Sequence, residues 1–249
     1  MGKRERLDIL LVDRQLVLSR EDGRRRILAA EVFVDEQPIT KAGALVDRSA
    51  AIRLKRALPY VSRGGLKLEE GLRHFAIEVT DKIALDVGAS TGGFTDCLLA
   101  RGARQVYSVD VGYGQLAWKL RNDPRVVVLE KTNIRYLERS HLASVADLAT
   151  IDVSFISLRL VLPQVKTLLR PGGDLVALIK PQFEVGKGKV GKGGVVKSQD
   201  EHVRVIEEIA ETARTLGFTT RGVTESPLLG PKGNKEFLIH LSLPNKLSA

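Results

Sequence analysis

The 249-residue chain has one cysteine, one methionine and one tryptophan, and only 5% of its residues are aromatic. A single cysteine, Cys97, excludes an intrachain disulfide framework and a cysteine-based zinc centre, and it suits a reducing compartment. Its place after Phe94, on an expected helix, reads as a small core residue rather than a nucleophile. No stretch approaches eighteen uncharged apolar residues, and the start M-G-K-R-E-R-L-D has no signal-peptide apolar core. Neither a membrane span nor an export signal is therefore expected, and we read a cytoplasmic protein. Acid is in deficit as well: 39 Lys and Arg stand against 30 Asp and Glu, a net charge of +9. Such a balance attracts polyanions, nucleic acid first among them. With 43% hydrophobic residues, a chain of this length can bury most of its unfolded surface without covalent staples.

What is present is organised around L-D-V-G-A-S-T-G-G-F, residues 85–94, which follows the apolar run Ile83-Ala84-Leu85. Apolar residues, an acid, glycines and then an amphipathic segment describe a strand, a tight turn and a helix N-terminus. A dinucleotide fingerprint requires G-x-G-x-x-G. The glycines here are Gly88, Gly92 and Gly93, a spacing that disfavours NAD. The pattern resembles instead the first motif of S-adenosylmethionine-dependent methyltransferases. That resemblance makes Asp86, Gly88, Ala89, Ser90, Thr91, Gly92, Gly93 and Phe94 the expected cradle for the cofactor.

Ahead of this core lies a small basic region. Leu7, Leu10, Leu11 and Arg14 fall at helical spacing, and Ser19 is placed to cap a second helix, with Asp22 completing a variant capping box. Ile27 and Leu28 are expected to face inward, while Arg20, Arg24, Arg25 and Arg26 crowd an exposed surface suited to phosphates. V-F-V-D and a strand at 51–54 suggest a hairpin. Residues 1–60 hold 13 basic against 9 acidic residues, net +4, and the remainder 26 against 21, net +5, so charge is denser in this short region. Two helices on a hairpin with a basic helix face resemble the RNA-binding module named after ribosomal small-subunit protein four. Arg4, Arg6 and Lys55 join the four arginines as RNA-binding candidates. Leu58-Pro59-Tyr60-Val61 reads as a linker. The expected division is 1–57 for the RNA-binding domain, 58–61 for the linker and 62–249 for the second domain.

In the second domain, Ser62-Arg63-Gly64-Gly65 is expected to cap a helix with Leu66, Leu72 and Phe75 inward. Short apolar strands then alternate with helical segments, ending at Asp86, Asp110, near Lys131, at Asp152 and at Lys180. That alternation predicts an α/β fold with a parallel, doubly wound, Rossmann-like sheet. Asp110 lies 22 residues after Gly88, where an acid accepts hydrogen bonds from a nucleoside ribose. Val111 follows it. Asn133 and Ile134 occupy the expected adenine position, and Trp118 reads as a packing residue. The loop V-G-K-G-K-V-G-K-G-G-V-V, 185–196, carries Lys187, Lys189 and Lys192; it could close over an RNA backbone or remain a solvated loop.

Ligands of open α/β sheets bind beyond the carboxyl ends of the strands. Asp152 and Lys180 fall at two such ends, and Lys67 sits on the helix before the first strand. Glu236 starts the last strand, which would be antiparallel if the fold is the methyltransferase one that the first motif resembles, and its start would then lie on the same edge. If the acceptor is a ribose hydroxyl, Lys180 as the amine could take its proton, Asp152 could orient that lysine, and Lys67 and Glu236 could fix the ribose. No metal is needed.

The order D-V-G-A-S-T-G-G-F-T-D, V-D-V-G-Y-G-Q-L-A-W-K-L-R, I-D-V-S-F-I-S-L, I-K-P-Q-F-E and N-K-E-F resembles the TlyA, or haemolysin A, family, and the catalytic half is similar to FtsJ-type ribose methyltransferases. The resemblance implies S-adenosylmethionine-dependent 2′-O-methylation of cytidine in 16S or 23S ribosomal RNA. It also implies that Lys67, Asp152, Lys180 and Glu236 form a K-D-K-E tetrad. Two alternatives stand beside it: a ribosome-associated RNA-binding factor without catalysis, and a membrane-active haemolysin.

Overall fold

The computed structural model describes residues 4–55, 58–186, 188–191 and 193–245. The chain divides into two units, Met1–Ala57 and Leu58–Ala249.

The first unit contains β1 (Arg4–Arg6), α1 (Leu7–Asp13), α2 (Arg20–Leu28), β2 (Val32–Val34), β3 (Gln37–Pro38), β4 (Leu45–Asp47) and β5 (Ile52–Leu54). β1 pairs with β4, and β3-β2-β5 form a second antiparallel sheet. The sequence suggested one hairpin. Strands of two or three residues are too short to show a period of two, so β1, β3 and β4 had no signature. Leu7, Leu11, Val17, Ile27, Val32, Val34 and Ala50 form the core. Ser19 caps α2 by accepting the Asp22 N–H. Asp22 does not complete a capping box; its carboxylate accepts from Arg25 and Arg26. Leu28, expected inside, is 68% exposed, because the turn of helix after Ile27 leaves the buried face.

Asp8 sets the basic face of this unit. Its fully buried carboxylate accepts from Arg6 at 2.9 and 3.0 Å, Arg24 at 3.0 Å and Arg20 at 3.2 Å. The Arg6 hydrogen bond, more than the burial that opposes it, holds the Asp8 carboxyl well below the ordinary carboxylate range. A depressed carboxyl stabilises the fold above its unfolded value near 3.8 and loses that contribution as the pH falls through the folded value. Asp8→Asn is expected to lower stability at neutral pH by about 1.5–3 kcal/mol, the scale of hydrogen bonds to charged groups. Thermal melts at pH 7 check this, and the gap between variant and parent should narrow in strong acid.

The second unit is an α/β sandwich. Its elements are α3 (Gly64–His74), β6 (Ile83–Val87), α4 (Gly93–Ala100), β7 (Gln105–Val109), α5 (Trp118–Arg121), β8 (Val126–Leu129), β9 (Ala146–Ile151), α6 (Leu158–Leu168), β10 (Leu169–Ile179), α7 (Pro181–Glu184), α8 (Gln199–Thr215), β11 (Thr219–Glu225) and β12 (Phe237–Ser242). The seven-stranded sheet runs β11-β12-β10-β9-β6-β7-β8, parallel from β10 through β8. β12 is antiparallel to both neighbours. Leu85, Val87, Ile151 and Ile179 pack on one face with α6 and α8. Ala84, Val106, Leu148 and Val176 face α3 and α4 on the other. Burial on both faces explains the near-continuous apolar strands.

Several local expectations change. Ser62 gives no side-chain cap, since α3 begins after Arg63. Leu68 and Leu72 are its buried leucines, with Leu66 and Phe75 only partly buried. A Pro171-Gly172-Gly173 turn, expected to precede the strand that ends at Lys180, lies within an irregular β10. Tyr60, in the expected linker, is buried among second-unit residues, and the Val61 N–H donates to Asp96. Trp118, expected to pack, is 76% exposed.

Candidate active site

The Rossmann turn depends on one close approach. Gly88 has φ +86°, and a Cβ there would lie 2.4 Å from the Asp152 carbonyl oxygen. A side chain is excluded both by conformation and by space. β6 and β9 run side by side, the Asp152 N–H donates to the Val87 carbonyl, and the glycine turn passes directly against Asp152. A similar constraint acts at Gly93, where a Cβ would lie 2.2 Å from the Ser62 hydroxyl. The start of α4 thereby meets the start of α3, the helix carrying Lys67.

Lys67, Asp152 and Lys180 line one cavity of about 460 Å³ with Gly88 to Thr91 on its wall. Lys180 lies 2.5 Å from Asp152 Oδ1, and its Nζ donates to the Ser154 hydroxyl at 3.0 Å. Lys67 donates to Glu236 Oε2 at 2.5 Å. Both lysines are buried, although Lys67 sits on a helix where a lysine ordinarily points to solvent. Topology explains the meeting: Asp152 and Lys180 follow β9 and β10, and Ile179 pairs with Phe237, so Glu236 enters at the same edge. Glu236 is not on the cavity wall. It is buried behind Lys67, its Oε1 finds no hydrogen-bond partner among the described residues, and Gly230 leaves space for it. The buried Lys67–Glu236 pair, and the buried Lys180 beside a partly exposed Asp152, carry a desolvation cost.

A second cavity of about 500 Å³ shares Gly88, Ser90, Asp152 and Ser154 with the first. The two form one groove across the strand ends. Asp110, Val111, Asn133 and Ile134 line this half. Asp110 accepts the N–H groups of Ser90 and Gly112 at 2.8 and 2.7 Å, fixing its carboxylate while leaving lone pairs for hydroxyl donors. Asn133 Oδ1 accepts from the Arg135 backbone at 3.1 Å, leaving its amide N–H groups to donate.

Two expected cradle residues do not face the groove. Gly92 turns toward Leu116 and Leu120. Asp86 alternates with Leu85 and Val87, so it points under the turn, into the α4 layer. It is fully buried, in register with Ser108 and Thr150, and accepts the Thr95 hydroxyl at 2.6 Å. Thr95 Oγ1 is also 2.8 Å from the Ser108 hydroxyl. Burial, reinforced by the nearby Asp152 charge, pushes the Asp86 carboxyl up to about 7.

Sequence reasoning missed Ser154, Arg63 and Lys232, which line the first cavity, and Phe155, 91% exposed at φ +63° beside the second. Ser154 and Phe155 stand in the quoted I-D-V-S-F-I-S-L stretch, whereas nothing in the local pattern marks Arg63 or Lys232. Of the expected RNA-binding residues, Arg4 and Lys55 are exposed, Arg6, Arg20 and Arg24 are gathered on Asp8, and Arg25 and Arg26 on Asp22. Lys189 pairs with Glu201 at 3.0 Å. Lys187 and Lys192 lie outside the described residues.

A Rossmann-like sheet with a glycine turn, a ribose-competent acid and a groove leading to two buried lysines defines a class, the S-adenosylmethionine-dependent methyltransferases. The FtsJ-like methyltransferase family model matches residues 60–243. The "16S/23S rRNA (cytidine-2'-O)-methyltransferase TlyA" of Mycobacterium tuberculosis is 47% identical over 97% of this chain and 91% of its own. A candidate rRNA methyltransferase of Bacillus subtilis, YqxC, is 50% identical over 98% of this chain and 88% of its own. A solved candidate hemolysin of Streptococcus thermophilus superposes with a TM-score of 0.76 at 43% identity, covering 99% of this chain and 92% of that one. The chain belongs to the TlyA (hemolysin) family, with an FtsJ-like methyltransferase domain.

The raised Asp86 carboxyl generates a pH signature. Its contribution to stability is complete below the unfolded value near 3.8, declines as the pH rises, and is gone above about 7. Asp86→Asn, neutral throughout, is expected to match the parent near pH 4 and to gain on it by about 1 kcal/mol or more at pH 8. Urea denaturation at the two pH values measures the difference.

Proposed function

We propose that the protein transfers the methyl group of S-adenosylmethionine to the 2′-hydroxyl of cytidine in ribosomal RNA, 16S, 23S or both, in the cytoplasm. The observation that carries this reading is the convergence of two ion pairs, the partly exposed Lys180–Asp152 and the buried Lys67–Glu236, beside the glycine turn. The relatives' activity points the same way.

S-adenosylmethionine, when bound, supplies an electrophilic methyl group on a sulfonium. The backbone from Gly88 to Thr91 and the Phe94 ring would hold its amino-acid end, Asp110 its ribose, and Val111, Asn133 and Ile134 its adenine. The open wall at Gly88, where a Cβ has no room, suits close contact between backbone and ligand. Lys180, its Nζ fixed by Asp152 and Ser154, accepts the proton of the ribose hydroxyl. Lys67, held by Glu236, donates to the acceptor ribose. The methyl group would pass to the ribose oxygen, whose proton leaves on Lys180. Oriented reactants lower such a barrier by roughly 7–11 kcal/mol in favourable cases, so placement by two fixed lysines is the main contribution of the protein. Arg4, Arg6, Arg20, Arg24, Arg25, Arg26 and Lys55 form the RNA-binding face of an S4-like first domain, with Lys187, Lys189 and Lys192 engaging RNA from the glycine-lysine loop. Asp8 fixes three of these guanidinium groups and leaves their outer N–H groups for phosphate.

Among the described residues no helix is long and apolar enough to cross a membrane. Lys180→Ala is expected to lower methyl transfer about 100-fold or more, the range of a lost general base, with S-adenosylmethionine affinity retained. Transfer of labelled methyl to ribosomal subunits, with calorimetric cofactor binding alongside, measures both. A fully active Lys180→Ala protein removes the proposed base.

A further inference from the structure

The stretch V-G-Y-G-Q-L-A-W-K-L-R, residues 111–121, is only partly used by the methyl-donor groove. Val111 and Gln115 line it. Tyr113 and Trp118 stand outside it, 70% and 76% exposed. Large rings left in water are costly unless something covers them. The backbone segments that carry them are tied together. Glu130 accepts the Gly114 N–H at 2.9 Å and pairs with Arg121 at 2.5 Å, so one carboxylate ties the tyrosine loop to the helix that begins at Trp118.

Lys131 completes the surface. Its Nζ lies 4.4 Å from the centre of the Tyr113 ring. Its backbone is held at φ +53°, an unfavourable conformation for a lysine, with its N–H donating to the Gly112 carbonyl. Among the described residues Lys131 makes no salt bridge. An apolar protein partner would bury that charge unpaired. A partner with flat π faces and negative charge satisfies the rings and the lysine together, which is the chemistry of unpaired RNA bases on a phosphate backbone.

We propose that Tyr113, Lys131 and Trp118 form an RNA platform on the methyltransferase domain, beside the nucleoside half of the groove. The rings stack on unpaired bases of the substrate RNA, and Lys131 meets a phosphate. The proposal rests on the ribosomal RNA reading above.

Trp118 is the only tryptophan in the chain, so its fluorescence reports this face alone. Titrating the full-length protein with deproteinised 16S and 23S rRNA should quench that emission and lower acrylamide access to Trp118 by about twofold or more. Tyr113→Ala and Lys131→Ala should each weaken rRNA binding roughly tenfold, the scale of one lost stacked base or its anchoring charge. Tyr113→Phe, which keeps the ring, should bind as the parent does. Cofactor affinity should stay within about twofold in all three. If both alanine variants bind rRNA at full strength and Trp118 stays open to acrylamide in the bound parent, the platform is overturned and the methyltransferase reading stands. A parent that neither binds nor methylates rRNA overturns both.

Discussion

The contact between the Gly88 turn and the Asp152 backbone is the constraint on which the rest of the site depends. It brings a phosphate-free nucleotide turn against the end of β9 with no side chain between them. Everything charged in the groove is then placed by neighbouring strand ends. Asp152 stands at β9, Lys180 at β10 and Asp110 at β7, while the antiparallel β12 delivers Glu236 to the same edge. A parallel sheet brings the carboxyl ends of several strands to one common rim. The chemistry follows from that rim, with little contribution from any single loop.

The two lysines illustrate how burial turns common residues into specialised ones. Each is held by one carboxylate at 2.5 Å, so the geometry is fixed before substrate arrives. Removing either acid would leave a buried cation without a partner, which is far more costly than the net worth of the pair. Beneath the turn, the row Thr150–Asp86–Ser108 is a second buried polar feature. It joins three strands to Thr95 of α4 and so steadies the helix N-terminus that follows the cofactor turn. Asp86 thus supports the site from below without lining it.

Much of this was legible in the sequence because strands buried on both faces read as apolar runs that stop at charged residues. Asp152 and Lys180 are such stops, whereas Glu236 precedes its strand and reaches the same edge only through the antiparallel register of β12. Lys67 was placed only by chemical need: on an amphipathic helix a lysine reads as solvated, and its burial comes from the close packing of α3 on α4 at Gly93. Trp118 misled because large aromatic rings usually fill cores, and no local pattern announces one left outside. Asp86 was assigned to the ligand because motif spacing records position along the chain, whereas the alternation of a strand decides which layer a side chain enters. In the first unit, the strands were too short for periodicity, and the convergence of Arg6, Arg20 and Arg24 on Asp8 joins residues from three elements that only the fold brings together.

Ribose 2′-O-methylation can be mapped in 16S and 23S rRNA from cells with and without this protein, and from cells restored with the parent or with Lys180→Ala. The account predicts a cytidine methylation that disappears without the protein, returns with the parent and stays absent with Lys180→Ala. Identical methylation maps in all four samples would contradict it.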